Sequence, residues 1–130
     1  MNCQTGTIHQ TNPEGTLLKL VSQIGVPAEL SDKIASIPFG KGIAGAAAET
    51  KAPVKLCNLQ HDLGGVALPN ARITGVSGSL AVPIFATTSD QVIGTLGVGR
   101  FDEHDFDEAE ILKLQQASRT IADVFENKDL

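Results

Sequence analysis

The feature that most constrains the fold is the segment from Phe39 to Leu59, FGKGIAGAAAETKAPVKLCNL. It reads as a glycine turn, a short alanine-rich helix over Ile43–Glu49, a break at Pro53 and then an extended run. The small side chains of the helix allow it to lie close against a sheet. The sequence on either side reads as antiparallel strands and helices that pack around this connection.

The same segment contains the dinucleotide-binding pattern G-x-G-x-x-G at Gly40, Gly42 and Gly45. That fingerprint needs a buried parallel strand directly before the first glycine, because the pyrophosphate lies where a sheet edge meets a helix N-terminus. Only Ile37–Phe39 are available, and Pro38 lacks a backbone N–H for a strand ladder. We therefore interpret the glycines as a tight turn rather than a nucleotide site.

Composition restricts the classes of partner. The 130 residues suit a single domain, residues 1–130, with a core of its own. A net charge of -5, no Lys/Arg cluster and no tryptophan or tyrosine argue against nucleic acid. No apolar run approaches the ~20 residues that span a bilayer, and no secretory signal is visible. We expect a cytoplasmic protein in which Cys3 and Cys57 are reduced thiols.

Two hairpins are predicted from alternating patterns flanking turn residues. The expected elements are strands over Cys3–Gln10 and Thr16–Gln23, a short helix from Pro27 to about Ala35, and strands over Ser79–Thr87 and Gln91–Phe101. Pro83 lies inside the third of these four strands. A bulge or a gap in the ladder is therefore expected there.

A long closing helix is predicted over about Asp107–Asn127, with acidic residues in its first turn that complement the helix dipole. Its apolar side chains span an arc of roughly 160°, which is wide for a helix that packs on one sheet alone. They are Ile111, Leu114, Ala117, Ile121, Ala122, Val124 and Phe125. We expect part of this arc to pack against a second copy.

The glycine-rich segment Gln60–Gly78 is predicted to be a long loop with one helical turn near Pro69–Ile73. Long loops inside compact domains are commonly functional. Arg72 is its only arginine, and a guanidinium can clamp a carboxylate or another oxyanion, with hydroxyl donors from Ser77 and Ser79. The alternative is that Arg72 simply faces solvent.

A thiol chemistry is the other candidate. Cys57, His61 and Asp62 resemble a nucleophile with a base and an orienting acid, provided that the thiol lies within hydrogen-bond reach of the imidazole. The alternative is a buried, inert cysteine and a solvated histidine. The three histidines lie far apart in sequence and predict no metal site, and we expect no cofactor.

The order of elements resembles the GAF domain, a small-molecule-binding module. The resemblance lies in GKGIAGAAAETKAPVKLCNL, in SLAVPI and in VIGTLGVGRF followed by FDEAEILKLQQAS, and it covers most of the chain. It implies an α/β (α+β) fold with a central antiparallel sheet of five or six strands in the order of about 2-1-5-4-3. It also implies helices on one face and a pocket on the other, roofed by residues 58–78. The candidate ligand-binding residues are Asn58, Asp62, Asn70, Arg72, Ser77 and Ser79.

Three specialised branches of that family match less well. Phe101 and Asp105 match only fragments of the pattern of cyclic-nucleotide-binding members, and Gln60–Gly78 lacks the Cys-His pair of bilin carriers. Some GAF proteins reduce free methionine sulfoxide with cysteines in this roof segment, and Gln60–Gly78 contains none. We therefore expect neither a cyclic nucleotide nor a chromophore, and we favour binding over catalysis.

The sequence thus predicts a stand-alone, cytoplasmic, non-catalytic GAF-type sensor for a small metabolite, with an anion among the options. Family members commonly begin with a helix beside the closing one, whereas this sequence begins almost directly on a strand. That difference favours either a homodimer through the closing helix or a sequence shortened at its beginning. The alternatives are a thiol enzyme of the free methionine sulfoxide reductase type using Cys57, and a structural dimerisation module.

Overall fold

The computed structural model describes residues 3–26, 28–32, 34–56 and 78–126. The strands are β1 (Thr5–Thr11), β2 (Leu17–Ile24), β3 (Ser36–Pro38), β4 (Val54–Leu56), β5 (Gly78–Phe85) and β6 (Val92–Arg100). The helices are α1 (Ala28–Ser31), α2 (Gly42–Thr50) and α3 (Glu108–Glu126). Both hairpins, the alanine-rich helix and the closing helix therefore match the prediction from the sequence.

The six strands form one antiparallel sheet in the order β3-β2-β1-β6-β5-β4. This confirms the α+β class with a central antiparallel sheet. The strand numbering differs from the prediction because the structure has an additional strand, β3, of 3 residues, which pairs with the outer side of β2. When β3 is left out and the other strands are renumbered, the order is the predicted 2-1-5-4-3.

The turn before α2 explains the three glycines of the G-x-G-x-x-G pattern. Gly40 and Gly42 have φ values of 85° and 65°, which favour glycine because it lacks a Cβ. A Cβ on Gly45 would lie 2.4 Å from the carbonyl oxygen of Pro38, so α2 crosses the chain at close range. The strand before the turn is the antiparallel edge strand β3, not the buried parallel strand that a dinucleotide site needs.

Helix α1 is shorter than predicted. It ends at Ser31, whereas the sequence suggested a helix to about Ala35. The carbonyl of Ala35 accepts a hydrogen bond from the backbone N–H of Leu20 at 2.9 Å, and the next residue already belongs to β3. Pairing with β2 therefore ends the helix before its own propensity would.

One face of the sheet is apolar and carries α3. Residues paired directly across antiparallel strands share a face, and the register aligns Ile8, Leu96 and Val82 across β1, β6 and β5. The buried cluster on this face comprises Leu80, Val82, Ile84, Leu96, Phe106, Leu114 and Ala122. This face forms the main hydrophobic core.

The shorter helix α2 lies on the opposite face, so the two longer helices divide between the faces of the sheet. Ala48 of α2 packs with Leu18, Ile37 and Val92, and Ala44 lies beside them. Leu18 pairs with Thr11 and therefore shares its face. This second, smaller core extends from Ile37 of β3 to Val92 of β6. Helix α2 also contacts β5 and β4, so it crosses this face of the sheet.

The expected irregularity at Pro83 is present one residue further on, between Ile84 and Phe85. Within the described residues, β4 pairs with β5 only as far as Ala81, so at Pro83 the strand has a neighbour on one side. A proline without an N–H is tolerated at such a position.

Helix α3 begins with a capping box. The Asp107 carboxylate accepts the N–H of Glu110 at 2.8 Å, and the Glu110 carboxylate accepts the N–H of Asp107 at 3.0 Å. The ring Nε2 of His104 lies 2.9 Å from both oxygens of Glu110. These contacts lower the pKa of the Glu110 carboxyl, with the backbone hydrogen bond from Asp107 as the largest cause.

The apolar arc of α3 is only partly used by the sheet. Leu114 and Ala122 are buried, whereas Ala117 is exposed and Val124 is 63% exposed. Ala117, Ile121 and Val124 form one stripe at spacings of four and three residues, in which Ile121 is half-buried against the main core. We call these three residues the open stripe. Within the described residues, no helix is long and apolar enough to cross a membrane.

Candidate functional site

Polar and small side chains occupy the sheet face opposite α3, and we call this set the polar face. The register gives three rows across β1, β6 and β5. They are His9–Thr95–Pro83, Thr7–Gly97–Ala81 and Thr5–Gly99–Ser79. Successive rows on one face lie about 7 Å apart, because the strand rises ~3.4 Å per residue.

The middle row carries the smallest side chains of the polar face. Gly97 has no side chain and Ala81 has only a methyl group. A Cβ on Gly97 would lie 3.0 Å from Oγ1 of Thr7, so the threonine hydroxyl leans over the glycine. Thr7 and Gly97 are half-buried, unlike His9 and Thr95 in the neighbouring row. The middle row of the polar face is therefore less deeply buried than the His9 row.

His9 is the most informative residue of the polar face, since its side chain is large, polar and only 1% exposed. Its Nε2 lies 2.9 Å from the backbone carbonyl oxygen of Ile34. Because a carbonyl can only accept, Nε2 carries the proton. Burial lowers the pKa of His9 below its usual value, so the ring is neutral near pH 7. Its other nitrogen, Nδ1, is then a bare acceptor.

Three buried polar atoms on this face have no hydrogen-bond partner among the residues that the structure describes. They are Nδ1 of His9, Oγ1 of Thr95 and Oγ1 of Thr11. A buried polar group left unpaired costs about 1–3 kcal/mol, and native proteins contain few of them. Their grouping on one side of β1 and β6 makes this face the candidate functional site.

The chemistry of the polar face suits recognition by neutral hydrogen bonds. None of the described residues in its three rows carries a full charge, because they are threonine, serine, glycine, alanine, proline and a neutral histidine. Within the described ranges, no three His, Cys, Asp or Glu side chains are grouped so that they could hold a metal ion. This part of the site can bind and orient a molecule.

Of the candidate ligand-binding and catalytic residues predicted from the sequence, only Ser79 lies in the described part of the chain. It is half-buried in the third row of the polar face, opposite Gly99 and beside Leu56 of β4. The other candidates lie outside the described residues and stay predictions: Cys57, Asn58, His61, Asp62, Asn70, Arg72 and Ser77. The structure therefore brings Ser79 together with Thr5, His9 and Thr95 on one face.

Cys3 belongs to the other side of the molecule. It packs against the apolar cluster beneath α3, and burial raises the pKa of its thiol. A raised thiol pKa lowers the thiolate fraction at neutral pH and makes the group less reactive.

Sequence reasoning missed His9, Thr11 and Thr95. A signal for the first two was present in the strand TGTIHQT, where the period of two places Thr5, Thr7, His9 and Thr11 on one face. A central strand with four hydrogen-bonding side chains on one face is unusual for a packed core. Thr95 gave no comparable signal, because only the register shows that it lies opposite His9.

A second concavity of about 310 Å³ lies between α3 and the end of β5. Its lining includes Arg119 and Asp123 on the helix and Phe85 on the strand. Two polar groups there have partners: Oγ of Ser118 donates to the carbonyl of Gln115 at 2.6 Å, and Thr87 bonds to the Glu126 carboxylate. This groove lacks the unpaired buried groups that mark the polar face.

The comparison with protein families gives the class of this protein. A family model described as GAF domain matches residues 1–126. The chain therefore belongs to the GAF domain family, and its fold supports a ligand-binding domain. No curated protein is similar enough in sequence to count as a match.

Solved structures agree on the fold. A structure described as the GAF domain has a TM-score of 0.75 at 21% identity and covers 93% of this chain and 63% of its own. The GAF domain of an Acinetobacter phosphoenolpyruvate-protein phosphotransferase gives 0.75 at 20% identity, covering 95% and 71%. A free methionine-R-sulfoxide reductase from Neisseria meningitidis in complex with its substrate gives 0.79 at 21% identity, covering 97% and 69%.

These identities establish the fold alone. The chain spans somewhat less than two thirds of the first of these structures and about 70% of the other two. The activities and ligands of those proteins belong to them.

Proposed function

We propose that this GAF domain is a non-catalytic sensory or regulatory domain of the cytoplasm that binds a small metabolite against the polar face. The observation that carries the proposal is the group of buried, unpaired polar atoms of His9, Thr95 and Thr11. A bound molecule satisfies them, whereas a purely structural module gains nothing from leaving them unpaired. Ligand binding then shifts the population of conformations that a partner or second subunit recognises.

The residues proposed to complete the site are those that the sequence singled out. They are Asn58, Asp62, Asn70, Arg72 and Ser77, together with Ser79 on β5. Arg72 is the cation that an anionic ligand needs, because the described rows of the polar face contain none. Replacing Arg72 with alanine is expected to weaken an anionic ligand by about 1.5–3 kcal/mol, through loss of charge-assisted hydrogen bonds.

The second candidate function is thiol-dependent reduction of the free methionine sulfoxide type. It is favoured by the structural likeness to reductases of that name. It would use Cys57, since Cys3 packs on the α3 side of the sheet. We rank it second because the described rows of the polar face hold no thiol and no charged acid or base.

A metabolite-library thermal-shift screen tests the binding function directly. We expect one class of small polar metabolite to raise the melting temperature of the protein. Cys57→Ser should leave that stabilisation intact while abolishing any thiol-dependent activity. A library that stabilises neither protein would contradict the sensor function, and a reductase activity lost in Cys57→Ser would support the second candidate instead.

We also propose a homodimer through the open stripe of α3, Ala117, Ile121 and Val124. Spacings of four and three residues present these side chains along one line of the helix, as helix pairing requires. Val124→Asp would place a charge in that seam, so we expect dissociation, measured by analytical ultracentrifugation. Leu112→Asp is the matched control, because Leu112 is 49% exposed on the same helix but lies off the stripe. A monomeric native protein, or equal effects of both variants, would refute this interface.

A further inference from the structure

We propose that the ligand of this domain presents a hydrogen-bond donor, an amide or amine N–H or a hydroxyl, to Nδ1 of His9, with the Thr95 hydroxyl as its second partner. This inference rests on the proposed ligand-binding function. It adds that the ligand group next to His9 donates a hydrogen bond rather than accepting one.

The first step is the protonation state of the imidazole. Nε2 is committed as a donor to the Ile34 carbonyl at 2.9 Å, so a neutral ring leaves Nδ1 with a lone pair and no hydrogen. Desolvation disfavours the doubly protonated ring at this depth, in agreement with the lowered pKa. Nδ1 therefore accepts and does not donate.

The second step excludes the commonest anionic groups from this position. An ionised carboxylate or the dianion of a phosphate monoester offers only acceptor oxygens. Such an oxygen against Nδ1 would bring two lone pairs together in a poorly solvated place, which is unfavourable. If the ligand is an acid, its anionic group must therefore lie away from His9, and a different part of the molecule faces the imidazole.

The third step is the position of Thr95. It lies directly opposite His9 in the ladder between β1 and β6, and directly opposed residues have Cβ atoms about 4.5–5.5 Å apart. Both side chains are 1% exposed, and each has a polar atom without a partner among the described residues. Its hydroxyl can donate as well as accept. A group with an N–H next to a carbonyl oxygen can thus satisfy both residues at once.

The fourth step is access. The neighbouring row on the same face, Thr7 with Gly97, is half-buried and lacks a bulky side chain in its centre. A ligand lying over Gly97 is within one row, about 7 Å, of the His9–Thr95 pair.

Three small probes with the same acetyl group test the inference. Acetamide has an N–H and a carbonyl oxygen, N,N-dimethylacetamide keeps the oxygen but lacks the N–H, and acetate is an acceptor only. The measurement is the ¹⁵N chemical shift of His9 Nδ1 in the labelled full-length chain, followed during titration. We expect a saturable shift with acetamide in the direction of an accepted hydrogen bond, and no comparable shift with the other two. Equal responses to all three probes, or no response to acetamide, would overturn the inference.

Thr95→Val supplies the matched variant, because it exchanges a hydroxyl for a methyl group of nearly the same shape. We expect acetamide binding to weaken about threefold to tenfold, the usual net value of one hydrogen bond. Thr120→Val is the control on the exposed side of α3, and it should bind acetamide like the native chain. Unchanged binding by Thr95→Val would remove Thr95 from the site.

The result separates this inference from the sensor function itself. If library metabolites stabilise the protein but acetamide leaves Nδ1 of His9 unmoved, binding stands and the donor assignment fails. If the acetamide response is present but no library metabolite stabilises the chain, the donor-accepting subsite stands and the sensor function fails.

Discussion

The two faces of the sheet use buried residues in opposite ways. On the α3 side, the described core is built from apolar side chains such as Leu80, Ile84 and Leu96, closed by Phe106 and Leu114. On the other side, His9 and Thr95 are buried just as deeply and have polar atoms without a partner in the described part of the chain. The same strands therefore have one face whose buried side chains stabilise the fold and one face whose buried polar groups lower its stability.

That difference separates stability from recognition within one sheet. Apolar burial stabilises a fold in proportion to the area removed from water, and no ligand is needed to complete it. Unpaired polar groups reduce the stability of the free protein and become favourable only when something binds them. The following predictions test this contrast, from the largest expected effect to the smallest.

The largest effect is expected on the apolar face. Ile84→Ala removes a fully buried side chain beneath α3 and should lower the free energy of unfolding by about 2–5 kcal/mol, measured by urea denaturation. Leu112→Ala on the exposed side of α3 should change it by less than about 0.5 kcal/mol. Similar values for the two variants would mean that α3 does not pack on the sheet through this cluster.

The second effect is a dependence of stability on pH that originates at His9. The pKa of the folded ring is below the ordinary value of 6.5, so between these two values the unfolded chain binds a proton that the folded domain excludes. Stability contributed by the neutral ring is complete above pH 6.5 and falls as the pH decreases, by up to about 1.4 kcal/mol per pH unit. The test compares urea unfolding of the native protein and His9→Gln across this range. Parallel pH profiles would contradict the burial of a neutral ring.

The third prediction concerns a polar side chain whose hydrogen bonds are made. Asp107 caps α3, so Asp107→Ala should cost about 0.5–2 kcal/mol of stability. Asp107→Asn, which keeps a capping oxygen, is the control and should cost much less. Because the cap lies away from the polar face, binding of any ligand that the native protein recognises should be unchanged when measured by calorimetry.

The smallest expected effect is an increase in stability rather than a loss. Thr95→Val replaces a buried, unpaired hydroxyl with a methyl group and should raise the stability of the ligand-free protein by up to about 1 kcal/mol. Thr120→Val at the exposed surface should not. A clear loss of stability in Thr95→Val, seen in the same urea titration, would show that the hydroxyl already has a partner in the free protein.

Much of the fold could be predicted from local chemistry. Alternating apolar and polar residues on either side of TNPEG and TSD form the two hairpins, and the acidic residues at the start of α3 form its capping box. Hairpins and caps depend on residues that are close in sequence. Strand β3 and the early end of α1 could not be predicted in this way. Both depend on pairing with β2, which competes with local propensity.

The candidate site shows the same division. The predictions for Cys57, Asn58, His61, Asp62, Asn70, Arg72 and Ser77 concern residues outside the described ranges, and they remain to be tested by substitution. His9 was visible in the pattern TGTIHQT as one of four polar residues on a strand face. Its importance was not visible, because the burial of a strand histidine and the hydrogen bonds of its ring depend on the residues packed around it.

The sequence by itself therefore determined most of the elements, their order and the family, since hydrophobic period, turn residues and caps act over a few positions. Only the tertiary structure decided which polar groups are buried together. His9 and Thr95 are 86 positions apart in the chain, and the ladder between β1 and β6 makes them direct neighbours. Burial and cross-strand register are properties of the assembled sheet, so the cost of leaving these groups unpaired has no local signature.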